Sequence, residues 1–237
     1  MELTVFSLAV APGAAIALYV YFRDKYEREP LSLLLKTFFA GFFIVIPAAL
    51  IESILFQILP ADNSNVINAM IRNFIFIGLT EEICKYYCLY SVAYSRPDFN
   101  EPFDGITYAV MVSMGFATAE NIMYVLDGGF QVAVMRVFTA VPAHATFAVL
   151  MGYFVGLSKF RNHHSPFLIL GITIAVVFHG IYDFFLTIDN IEMITLGALV
   201  SLVIALRLSF KAMKILSENS PFRYSSIVLR QKHTEPS

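Results

Sequence analysis

The sequence predicts an all-α polytopic integral membrane protein, and three observations carry that prediction. Apolar runs of about 20 residues, long enough to cross a bilayer core, recur along the whole chain. Only 14% of the 237 residues are charged and 58% are hydrophobic, whereas a soluble domain carries roughly 25% charged residues. The runs are continuous rather than alternating, which excludes a transmembrane β-barrel. Mean hydropathy is +0.69. A formal net charge of -2 leaves no basic footprint for nucleic acid.

Seven helices follow, at 3–22, 34–59, 66–95, 104–126, 131–158, 166–188 and 191–210. The first has Glu2 where a cleaved signal would carry basic residues, and its apolar run continues to Phe22, so it reads as a retained span. The second starts after "RDKYEREP" and stops at "PADNSN". The third carries Glu81, Glu82 and Lys85 within an apolar run and ends at "SRPDFNEP". The fourth and fifth meet at "DGG", the fifth and sixth at "KFRNHHSP", and the sixth and seventh at "TIDN". Arg23, Lys25, Arg28, Lys36, Arg96, Lys159, Arg161 and the basic residues after Ala205 fall on one side of this arrangement. The three opposite connections hold Asp62, Asp127, Asp189 and Glu192 but no lysine or arginine. The positive-inside rule then puts the N-terminus outside and the C-terminus in the cytoplasm of a multi-pass cell-membrane protein. Residues 1–216 read as one transmembrane domain and 217–237 as a polar cytoplasmic tail. Cys84 and Cys88 lie one helical turn apart and point the same way, which suits two buried thiols better than a disulfide.

The ionisable residues inside the spans are Glu52, Arg72, Glu81, Glu82, Lys85, Glu120, Arg136, His144, His179 and Asp183. Each unpaired charge at the bilayer centre costs about 2.5–3.5 kcal/mol on insertion scales, so these side chains should face the bundle interior and find partners. Lys85 stands four residues after Glu81 and three after Glu82 and can pair with either. That pairing accounts for one glutamate. The second is left to hold a proton, polarise a water or ligate a metal. Glu120 and Asn121 lie towards the outer end of the fourth helix, where a carboxylate can also snorkel to water. His144 lies near mid-membrane beside Pro142, which removes a backbone donor and could open a water-accessible niche. Asp183, four residues after His179, can hold that imidazole in one tautomer.

At about 1.5 Å of rise per residue, Glu82, Glu120, His144 and His179 fall within roughly 15 Å of membrane depth, so four helices can converge on one site. Two histidines and carboxylates in a confined pocket suit hydrolysis by an activated water. The set Glu82, Glu120, His144 and His179 could equally hold zinc with an open position. Neither HExxH nor GxSxG is present.

"EEICK", "FDGITYAVMVSMGFATAEN", "RVFTAVPAHATFAVLMGYFVG" and "FHGIYDFF" occur in this order between residues 78 and 186. Together they resemble the PrsW family of intramembrane proteases, relatives of the CAAX-protease and bacteriocin-immunity superfamily. The resemblance implies site-1 cleavage of a single-pass membrane substrate, typically an anti-sigma factor, within the lipid bilayer. It implies Glu81, Glu82, Glu120, His144 and His179 as the catalytic set, with Lys85, Asn121, Arg136 and Asp183 in support. Glu120 and Asp183 stand where the wider superfamily has histidine and asparagine, which argues against prenyl-protein processing. A metal-dependent and a glutamate-based mechanism both stay open. Two other classes fit the buried charges: a proton-coupled transporter or channel with a Glu/His relay, and a non-catalytic membrane scaffold. Arg136 has a bland reading as a partner of Glu120, Glu52 as a polar contact of the second helix, and His163 and His164 as solvated loop residues. Gly152 and Gly156 read as a helix-packing motif.

Overall fold

The computed structural model describes residues 2–62, 64–161, 164–188 and 191–223, whose regular elements are all helices with no strand among them. The chain runs through α1 (Glu2–Arg23), α2 (Leu31–Ile58) and α3 (Val66–Met70), then a π-helical stretch (Ile71–Leu79) that continues into α4 (Thr80–Leu89). A second π-helical turn (Tyr90–Tyr94) closes that run. There follow α5 (Pro102–Phe138), α6 (Ala140–Lys159), α7 (His164–Thr187) and α8 (Ile191–Glu218). The last helix extends eight residues beyond the expected end at 210, through the basic residues Lys211 and Lys214. His163 and residues 224–237 of the expected tail lie outside the described residues, as does the side chain of His164.

Five helical stretches among the described residues are long and apolar enough to cross a membrane. One of them, Pro102–Lys159, spans 58 residues, far more than one crossing requires. It folds back on itself. Gly129 has φ 67°, a left-handed conformation that only glycine adopts without strain, and it reverses the chain at the predicted "DGG" turn. The helix breaks again at Thr139 (φ -123°, ψ -76°). Gly105 at the start of α5 packs against Gly152 and Gly156 near the end of α6, so the two halves lie side by side and antiparallel. A Cβ on Gly105 would stand 2.6 Å from the Gly156 Cα. Small residues at this seam allow backbone approach where lipid gives no hydrophobic drive between helices.

Pro142 plays a different part from the expected one. It sits in the first turn of α6, just past the break at Thr139, where its missing N–H leaves no ladder bond unmade. The break lies at the helix start and not at mid-helix.

The first half of α5 is the centre of the bundle: every residue from Phe103 to Ala119 is buried. It is flanked by α1, α2 and α6. Glycines at both contacts bring α2 close, Gly41 against the Val112 backbone and Gly115 against the Phe38 backbone. Cys84 is half-buried and Cys88 buried, both as free thiols, with the Cys88 Sγ 3.6 Å from the Ala40 carbonyl oxygen.

One end of the bundle gathers the connections 24–30 and 95–101 and the C-terminus of α6. The Lys159 ammonium donates to the Arg96 carbonyl (3.1 Å), and the Asn100 amide reaches Glu27 (3.4 Å). Beneath these basic residues lie buried carboxyls. Burial, then repulsion from Glu101 and Asp104, pushes the Asp24 carboxyl up to about 8. Burial and the neighbouring Asp104 push Glu29 up to about 10.

Gly105→Ala should destabilise the α5–α6 hairpin by about 1–3 kcal/mol, the usual cost of overpacking. Thermal unfolding in detergent should show a lower transition for this variant and an unchanged one for Gly129→Asn, at an open turn that tolerates left-handed asparagine. An unchanged transition in Gly105→Ala would remove the seam from the fold's support.

Candidate functional site

The site begins with a local irregularity. The π-helical stretch Ile71–Leu79 adds slack to the helix just before α4 and sets the rotation at which Glu81 and Glu82 leave it, a common placement for π-geometry at functional positions. Glu81, Glu82 and Lys85 are all buried, which sequence spacing alone places on one face of α4. The Lys85 Nζ lies 2.9 Å from Glu81 Oε2 and 2.8 Å from Glu82 Oε1, so a single ammonium bridges both carboxylates. Its third contact is His144 Nδ1 of α6, at 3.1 Å. The ring of Phe116 lies under the ammonium at 4.3 Å, a cation–π contact.

An ammonium has only hydrogens to offer, so Nδ1 of His144 is the accepting nitrogen and Nε2 carries the hydrogen. That nitrogen faces Glu120 Oε2 of α5 at 2.9 Å. Glu120 in turn forms an ion pair with the Arg136 guanidinium (2.8 Å), and the Arg136 Nε donates to Asn121 Oδ1 (2.6 Å). The Asn121 amide reaches the Ala9 carbonyl of α1 at 3.4 Å. From α7, His179 presents Nδ1 to Glu82 Oε1 (2.8 Å) and Nε2 to Asp183 Oδ2 (3.2 Å). Hydrogens on both ring nitrogens satisfy both carboxylates. The His179 ring stacks on Phe147 (5.1 Å between centroids) and meets His144 edge-on at 5.2 Å.

All nine predicted residues thus enter one connected network. Four of its helices are those the depth comparison brought together, and α1 joins through Ala9. Arg136 has the ion pair with Glu120 and bridges onward to Asn121. Arg72 stands apart, donating to the Leu59 carbonyl (2.7 Å) over the Phe56 ring.

A cavity of about 430 Å³ opens beside the network, within the range of ligand pockets. Glu81, Glu120, His144, His179 and Asp183 line it, whereas Glu82 and Lys85 do not. The two adjacent glutamates therefore differ: Glu81 reaches the cavity, and Glu82 sits behind it, tied to Lys85 and His179. Glu52 lines the cavity too, closer to the site than a contact within α2. Asn73 and Tyr182 escaped the sequence reading. Asn73 is held through its amide by Ala69 O (2.8 Å) and Thr187 Oγ1 (2.7 Å), and its buried Oδ1 has no partner at the cavity wall. Its signal was an amide side chain inside an apolar run; Tyr182 gave only its place next to Asp183.

Glu81, Glu82, His144 and His179 each offer a ligand atom, and those atoms all lie within 4.8 Å of one another. Two imidazoles and two carboxylates form a donor set that zinc accepts, so this buried group could bind a metal. Glu81 stands in it where Glu120 was expected, while Glu120 is engaged by Arg136 and His144. An ion entering between Glu81, Glu82 and His144 would take the place of the Lys85 ammonium.

The chain is similar to known proteins over most of its length. Residues 29–219 match the model of the PrsW family, described as intramembrane metalloproteases. A protein named Protease PrsW from Geobacillus kaustophilus (strain HTA426) is 38% identical over 181 residues, covering 76% of this chain and 78% of that one. Its namesake from Bacillus subtilis (strain 168) is 34% identical over 77% of this chain and 83% of its own. That of Clostridioides difficile (strain 630) is 32% identical over 80% and 82%. No solved structure matches the chain.

Lys85→Met leaves two carboxylates buried face to face, and should cost about 3–5 kcal/mol, the usual loss when one member of a buried ion pair is removed. Adding Glu82→Gln should recover part of that loss, measured as non-additive shifts in thermal unfolding. Additive losses would mean that the ammonium does not bridge the pair.

Proposed function

Because the chain belongs to the PrsW family of intramembrane metalloproteases, and so is a multi-pass membrane peptidase, we propose that it performs site-1 cleavage of a single-pass membrane protein such as an anti-sigma factor. The observation that carries this reading is the position of Glu81, a carboxylate at the cavity wall braced from behind by Lys85. We further infer seven passes with the N-terminus outside, from the basic residues gathered at one end of the bundle.

In this reading the substrate segment enters the cavity and Asn73 Oδ1 accepts a hydrogen bond from its backbone. Glu81 takes a proton from water as that water attacks the scissile carbonyl, then passes it to the leaving amine. The His179 Nε2–H, whose contact with Asp183 is the longer of its two (3.2 Å), turns from Asp183 to the developing negative oxygen, while His144 lines the same wall. Glu120 orients His144; Glu82 and Asp183 orient His179; Arg136 holds Glu120 in place. Glu82 is a positioning residue here.

Zinc, if it is the family's metal in this chain, would be held by His144 and His179 with Glu81 and Glu82. When bound it would supply Lewis-acid polarisation of the scissile carbonyl. The same two glutamates would then act as ligands, and the Lys85 side chain would swing away.

Co-expression with a single-pass membrane substrate tests the assignment. Glu81→Gln and His179→Ala should each lower cleavage by about 10²–10⁴-fold while the protein still accumulates in the membrane. Intact cleavage in both variants would overturn the catalytic roles. Elemental analysis of the purified protein decides between the two mechanisms: stoichiometric zinc lost in His144→Ala would make the Glu/His group a metal site, and full activity of metal-free protein would leave the glutamate mechanism alone.

A further inference from the structure

A second group of carboxylates lies outside the lining of the cavity. Asp24 from the α1–α2 connection, Glu29 just before α2 and Asp104 in the first turn of α5 offer oxygens that all lie within 4.8 Å of one another. Their exposures are 3%, 2% and 0%, so water does not screen them. Two are oriented by donors on one oxygen only. Asp104 Oδ2 accepts from the N–H groups of Asn100 (2.7 Å) and Glu101 (2.8 Å), and Glu29 Oε2 accepts from the Tyr108 hydroxyl.

The remaining oxygens carry the argument. Asp24 Oδ2, Glu29 Oε1 and Asp104 Oδ1 are each buried and have no hydrogen-bond partner outside the group, and the nearby Asn100 Oδ1 is likewise without one. No ion pair joins these carboxylates to a lysine, arginine or histidine among the described residues. The neighbouring cations are occupied otherwise: Lys159 donates to the Arg96 carbonyl over the Phe99 ring, and the Arg28 guanidinium lies over Tyr21 and Phe22. Unpartnered acceptors of one sign, fixed by donors at their other oxygens, form a set that a cation completes.

We propose that Asp24, Glu29 and Asp104 form a binding site for a hard divalent cation of the calcium or magnesium class, which ties the α1–α2 connection to the start of the central helix. The donor chemistry selects the class, because every available atom is a carboxylate or amide oxygen and none is sulfur or imidazole. The spacing agrees. Ligands on opposite sides of an ion at about 2.4 Å stand about twice that distance apart, so oxygens that all lie within 4.8 Å of one another can share one ion. The site is separate from the Glu/His group, with which it shares no residue.

The test uses the full-length protein in detergent, freed of divalent ions with a chelator. Mn²⁺ is then titrated by electron paramagnetic resonance, and thermal unfolding is followed with added Ca²⁺ or Mg²⁺. One tightly bound Mn²⁺ and a rise of several degrees with Ca²⁺ or Mg²⁺ are expected in the wild type and in His144→Ala. Both should be lost in Asp24→Asn and in Asp24→Asn/Glu29→Gln. Without cations these variants should unfold no earlier than the wild type, which shows that they fold, since each amide keeps the size of the carboxyl and removes a group that is costly to ionise where it is buried. Binding that survives in the double variant would overturn the site. So would the absence of any bound Mn²⁺ or thermal shift in the wild type, the result expected if the carboxyls only share protons.

Discussion

The bridging ammonium of Lys85 is the contact on which the rest of the site depends. It is bound to Glu81 and Glu82 on its own helix and to His144 on another. In a low-dielectric interior two adjacent carboxylates repel strongly, and a cation between them is what lets both be buried. The same cation fixes which nitrogen of His144 accepts, and so which one faces Glu120. Orientation then passes outward through Arg136 to Asn121 and α1. A second line runs from Glu82 through His179 to Asp183. One charge thus aligns groups from α4, α5, α6 and α7.

That alignment requires helices that approach closely, and the small residues supply it. The start of α5 is buried on every side, and glycines on α2, α5 and α6 let backbones meet without a side chain between them. Lipid solvates leucine as well as a protein core does, so helix association in a bilayer rests on such packing and on polar contacts. Here the two act together: glycine seams set the helix positions, and the Lys85 network sets their rotation. The cavity is what remains where α2, the π-helical stretch, α5, α6 and α7 cannot all close around those polar groups.

Burial of charge is handled differently at the two places where it occurs. Around Lys85 the protein supplies its own cation, so the carboxylates are compensated and one of them reaches the cavity. At the end of the bundle, Glu29 and Asp104 have hydrogen-bond donors, but neither they nor Asp24 have a protein cation among the described residues. In both cases the polar group joins segments distant in sequence, which is how an expensive buried charge gives specificity to a fold.

Much of this was legible in one dimension. Apolar runs bounded by polar connections gave the helices, because a backbone in hydrocarbon must satisfy its own hydrogen bonds. The nine site residues were visible as charges or polar groups where an apolar run should have none. The break at Gly129 announced itself as "DGG". Asn73 and Tyr182 were harder to find, and Glu52 harder to place at the cavity, since a single polar residue in a helix does not reveal which neighbour it faces. The acidic group was hidden for the same reason: Asp24, Glu29 and Asp104 look like ordinary loop and helix-end residues until the chain brings them together. The sequence by itself therefore determined the class of protein, the helical runs and the inventory of buried ionisable groups, because the cost of desolvation acts on each residue wherever it lies. Only the tertiary structure decided that Glu81 rather than Glu82 reaches the cavity, that His144 joins Lys85 to Glu120 and that Pro142 opens a helix. Those outcomes depend on helix rotation and interhelical distance, which close packing between segments sets and local spacing does not encode.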